Sequence, residues 1–156
     1  TLQRKAPTMS TDRSVTEDLM EILEDGRDGF NHAADQLQDS DRADLAPRFR
    51  QFAEQRGAFY HELERLAAVY GDDVEDSGSA RAALHRTWMS VKDALTGSDP
   101  EAILNAAERG EDEAVETYTE ALGKDISVNL RDTVQKQFSE IQAAHDQVKS
   151  LRNAAR

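Results

Sequence analysis

Phe49-Arg-Gln-Phe-Ala-Glu-Gln-Arg-Gly-Ala-Phe59 has the spacing of a helix and, at its centre, a residue that does not suit a core. Leu45, Phe49, Phe52, Arg56, Phe59, Tyr60, Leu63, Leu66, Ala67 and Tyr70 recur at short helical intervals, so they line one face. Arg56 falls in the middle of that apolar stripe. A second stripe, Ile103, Ala107, Gly110, Glu111, Ala114, Tyr118 and Ala121, carries an acid in the equivalent place. An isolated buried charge is strongly destabilising, so two opposite charges on apolar faces predict a pair. Their depths agree: with the two helices parallel, Arg56 lies fifteen residues past Asp41 and Glu111 thirteen past Ser98, within about one turn.

Working outward, two more long patterns complete a bundle. Val15, Leu19, Ile22, Leu23, Gly26, Phe30, Ala33 and Leu37 form the first, with Thr11, Asp12 or Ser14 expected as its cap. The last carries Ile126, Leu130, Val134, Gln137, Phe138, Ile141, His145, Val148 and Leu151. Turns are expected at 39–41 and 123–125, whose brevity dictates two antiparallel hairpins. Pro47 suits a first helical turn, Gly71 a helix end, and Ser98-Asp99-Pro100-Glu101 a helix start. Between the hairpins, segment 72–97 holds a shorter pattern, Leu84, Trp88, Val91 and Leu95, preceded by Ser77 or Ser79 and ended by Gly97. A helix there of some 17 residues spans roughly 25 Å and returns the chain to the end where the second helix began. The expected fold is therefore all-α: a ferritin-like four-helix bundle with a short crossover helix between the second and third bundle helices. Residues 13–155 make one domain, and residues 1–12 a disordered or extraneous tail, with Met9 as a natural start.

Bulk properties exclude several function classes. The 156 residues carry 31 acidic against 19 basic side chains, a net charge of -12, which disfavours nucleic acid and anionic membranes. There is no cysteine, hence no disulfide, thiol nucleophile or thiolate metal site. No apolar run reaches the roughly 18 residues of a membrane span, and a cytoplasmic location is expected. Neither a nucleophile elbow nor a phosphate loop nor a dinucleotide fingerprint occurs.

Several phrases are more specific: Leu23-Glu-Asp-Gly-Arg-Asp-Gly-Phe30, Ser77-Gly-Ser79, Leu84-His-Arg-Thr-Trp88, Glu108-Arg-Gly-Glu-Asp112 and Ala144-His-Asp146. Through them the chain resembles an uncharacterised bacterial family of ferritin-like four-helix-bundle proteins, a domain of unknown function, over residues 15 to 152. The resemblance implies the bundle fold and a broad association with stress proteins, and no established chemistry.

A ferritin-like di-iron or di-manganese site takes one Glu from each of two helices and Glu-x-x-His from each of the other two. Seven residues before the helix aromatic, the spacing usual in such enzymes, Tyr118 leads to Glu111 but Phe30 leads to Leu23, which cannot bind metal. Neither the second nor the last bundle helix contains Glu-x-x-His. The expected polar core layer is Arg56, Glu111, Gln137 and His145, with a hydroxyl from Tyr60 or Tyr118, and no cofactor. Gln137 should sit opposite Glu111, and Gly26 should give room to the Arg56 side chain. The alternative is an iron or manganese site built from Glu54, Glu108, Glu111 and His145. Direct contact between Arg56 and Glu111 would favour the first reading, and inward carboxylates such as Glu54 with Glu108 the second. His85, Arg86, Trp88 and Lys92 form a modestly basic strip, a candidate docking face for an acidic partner or a second copy. The function expected is that of a non-enzymatic bundle acting through self-association or a protein partner.

Overall fold

The computed structural model describes residues 9–68 and 99–155. They form four long helices: α1 (Met9–Gln38), α2 (Ala46–Ala67), α3 (Pro100–Leu122) and α4 (Val128–Ala154), with one 3-10 turn, Ala43–Leu45, before α2. The described residues include no strand. Gly71, the expected crossover segment 72–97 and its docking strip His85, Arg86, Trp88 and Lys92 lie outside the described residues.

Local signals explain the boundaries. Ser40 holds the first hairpin: its hydroxyl donates to the Leu37 carbonyl at 2.7 Å, which also takes the Ser40 amide at 3.0 Å, and accepts from the Arg42 amide at 3.0 Å, serving the end of α1. Pro47 stands in the first turn of α2, where a missing N–H is harmless. Asp99 caps α3 by accepting from the Glu101 amide, with Pro100 at the first helical position. At the other end of α3, Arg131 reaches back and donates to the Leu122 and Lys124 carbonyls at 2.8 Å each, a cation on the negative helix terminus. Ser127 caps α4.

The start of α1 differs from expectation. The helix is already formed at Met9, so Thr11, Asp12 and Ser14 lie inside it rather than capping it, and part of the expected tail is helical. Asp12 is 5% exposed and accepts from the Ser127 amide at 2.9 Å. It thus satisfies a donor of the α3–α4 connection, 115 residues away. Tertiary packing extends the helix past the point where its apolar repeat stops.

α1 packs on α2 and on α3, α3 packs on α4, and α2 touches α4. The start of α1 (Val15, Leu19) lies beside the end of α3 (Thr117, Ala121), so these two helices are antiparallel. Since each hairpin is also antiparallel, α2 and α3 run parallel and face each other diagonally. Their core is continuous from Val15 to Val148. Phe30, Phe49 and Phe52 pack at ring-centroid distances of 5.2 to 5.8 Å below the midplane, and Tyr118 stacks on Phe138 at 6.3 Å above it.

Candidate functional site

Arg56 and Glu111 meet across the diagonal. Arg56 Nη1 donates to Glu111 Oε1 at 2.7 Å and Nη2 to Oε2 at 2.8 Å, with side-chain exposures of 1% and 0%. The parallel N–H bonds form the bidentate geometry that a guanidinium suits and an ammonium does not. Nε donates to Gln55 Oε1 at 3.3 Å, and the guanidinium carbon sits 5.1 Å from the centre of the Phe30 ring. The side chain runs past Gly26 of α1. A methyl group built on Gly26 would lie 3.5 Å from both Cγ and Nη1 of Arg56, an ordinary contact, so the expected room at Gly26 is not needed for the arginine to pass.

Gln137 is fully buried, as expected, but not opposite Glu111. Its Oε1 accepts from the Tyr118 hydroxyl at 2.6 Å, and its Nε2 donates to Glu62 Oε1 at 2.8 Å and to the Phe59 carbonyl at 3.3 Å. Helix side chains lean toward their own N-terminus, so on antiparallel helices they lean in opposite directions. Tyr118 therefore leans away from the 123–127 connection and Gln137 toward it, and the two meet two turns from Glu111. Burial pushes the Tyr118 phenol well above its ordinary pKa; Arg56 acts the other way and Glu62 adds to the rise. The phenol is thus a fixed donor. Of the two tyrosines considered for this layer, Tyr118 supplies the hydroxyl to Gln137.

His145 does not join this layer. It lies at the α3–α4 edge with 19% of its side chain exposed. Nε2 is 2.6 Å from Asp112 Oδ1, and Nδ1 is 3.4 Å from Asp146 Oδ1. Partial burial disfavours its charged form, but the hydrogen bonds to Asp112 and Asp146 and the charges of Asp112 and Glu111 outweigh that, and its pKa is raised.

The residues present do not fit a midplane dimetal centre. Both Glu111 oxygens are taken by Arg56, the residue seven before Phe30 is a buried leucine, Leu23, and Glu54 is exposed. Glu108 keeps only 12% of its side chain exposed but faces Arg152, whose Nε is 2.7 Å from its Oε2. The alternative set of Glu54, Glu108, Glu111 and His145 is thus not brought together. Sequence projection also misses Asp12, Glu17 and Glu21, acids buried on α1 at 9% exposure or less. Among the described residues, three that gather with ligand-like spacing are Glu108, Asp112 and His145.

Together the fold and the diagonal pair define an all-helical bundle with a charged, closed midplane. The chain belongs to the family described as a domain of unknown function (DUF2383), whose match covers residues 14–124. A comparison with curated proteins gave no match.

Proposed function

We propose that this protein is a ferritin-like four-helix bundle in which the Arg56 guanidinium stands where related bundles hold metal, and that it acts without enzymatic chemistry. The observation that carries this reading is the bidentate pair, which consumes both oxygens of the midplane carboxylate. A cation already present there opposes entry of another, and dimetal chemistry needs several anionic oxygens that this layer does not supply. The parallel course of α2 and α3, which requires a long return connection, supports the ferritin-like topology. With no access for a substrate to the fully buried pair, the polar layer sets helix register, and function falls to the outer surface.

On this reading the bundle works in the cytoplasm through self-association or a protein partner, in the stress-linked setting that the family resemblance implies. Among the described residues no helix is long and apolar enough to cross a membrane. Oxygen uptake after adding ferrous iron to chelator-treated protein tests the non-enzymatic part. The rate should equal that of buffer alone, and uptake abolished by Glu111→Gln would overturn it. Sedimentation across a concentration series tests self-association.

A further inference from the structure

We propose a binding site for one first-row divalent transition cation at the rim of the α3–α4 hairpin, formed by Glu108, Asp112 and His145. Glu108 and Asp112 are one turn apart on α3, so their carboxylates share a face. His145 comes from α4. One ligand atom from each residue can be chosen so that all three lie within 4.8 Å of one another. An ion with bonds of about 2.0–2.2 Å to nitrogen and oxygen needs ligand atoms separated by roughly 3 to 4 Å, so small side-chain shifts close the site.

As it stands the cluster is ion-paired, His145 with Asp112 and Glu108 with Arg152, and two further observations bear on a cation entering it. Asp146 Oδ1 lies 3.4 Å from Nδ1, where an outer-shell carboxylate would sit, while Nε2 faces Asp112 Oδ1 at 2.6 Å, a contact that the ion would replace. In addition, Glu108 Oε2 is completely buried yet has no hydrogen bond. Arg152 Nε, 2.7 Å away, is equally without one, so the two charges touch without a donor aimed along the contact. A groove of about 480 Å³, bordered by Glu108, Arg109, Asp112 and Arg152, opens beside the cluster and has room for an ion with its remaining water ligands. Arg152 acts here as a displaceable counter-charge near the end of α4. One imidazole and two carboxylates, with no sulfur, suit zinc, manganese or ferrous iron better than soft ions.

This site is distinct from the midplane pair and does not rest on the reading given to it. Zinc is the probe, titrated into the chelator-treated full chain against a chromophoric competitor with millimolar magnesium present. One equivalent should bind. His145→Gln and Asp112→Asn should each weaken it tenfold or more, while Asp146→Asn should weaken it about tenfold, the low end for an outer-shell partner. Arg152→Gln should tighten it by removing the competing cation. Unchanged affinity in His145→Gln, displacement of zinc by magnesium, or weakened binding in Arg152→Gln would each overturn the proposal. Arg152→Gln keeps the test decisive should a ligand variant fold poorly, because a gain in affinity cannot come from misfolding.

Discussion

Arg56 and Glu111, 55 residues apart in the chain, join both ends of a guanidinium to both ends of a carboxylate in the dry centre of the bundle. Removing one partner leaves the other charged, buried and unsatisfied. Glu111→Ala should therefore lower unfolding free energy by about 3–5 kcal/mol in urea titrations. Replacing both with apolar residues, Arg56→Met with Glu111→Leu, should recover most of that loss, because such pairs balance attraction against desolvation. Strictly additive losses in the double variant would show that the two residues do not act as a unit.

The Arg56 stem passes Gly26 so that a methyl group built there would meet it at 3.5 Å, the distance of ordinary contact. Gly26→Ala should hence be neutral or stabilising by up to about 1 kcal/mol, through helix propensity. Gly26→Leu should destabilise, because the longer side chain meets the guanidinium itself. Thermal melts of the two variants give the contrast directly.

Tyr118 and Gln137 form the second buried link. Tyr118→Phe keeps the ring stacked on Phe138 but leaves Gln137 Oε1 buried without its donor, which should cost about 1–3 kcal/mol in chemical denaturation. A loss no larger than that of an exposed Tyr→Phe control would contradict the bond.

Glu113 provides a pH signature. Partial burial, then the charges of Glu116, Glu120 and Asp112, raise its pKa above the ordinary 4.5. An acid whose folded pKa is raised contributes stability that is fully present below the unfolded pKa and is lost as pH rises through the folded value. At neutral pH its charge is therefore unfavourable. Glu113→Gln should raise the melting temperature at pH 7, because it removes a charge that burial and like-charge repulsion both disfavour. The gain should shrink as pH falls through the raised folded pKa and be gone below the ordinary 4.5.

What the sequence makes legible depends on how side chains lean. Arg56 and Glu111 can be paired from stripe position and depth alone because α2 and α3 are parallel, and both side chains lean the same way. Gln137 is placed two turns off by the same counting because α3 and α4 are antiparallel. Asp12 is misread as a cap since nothing local shows that it serves the α3–α4 connection. His145 is read as inward because it follows Ile141 by four residues and precedes Val148 by three, yet Ala144 takes the buried position, and one residue turns the face by about 100°, which puts His145 on the flank. Asp112 is displaced from Glu111 in the same way, and the two flanks meet. The signal for this edge cluster is present in Glu108-Arg-Gly-Glu-Asp112 and Ala144-His-Asp146, two of the phrases that carry the family resemblance.

The most direct test of the closed midplane is the metal content, per chain, of protein purified from cells supplied with iron and manganese, for the wild type and Glu111→Gln side by side. The account predicts at most one cation per chain, with the same content in the variant. Two cations per chain in the wild type, both lost in Glu111→Gln, would contradict it.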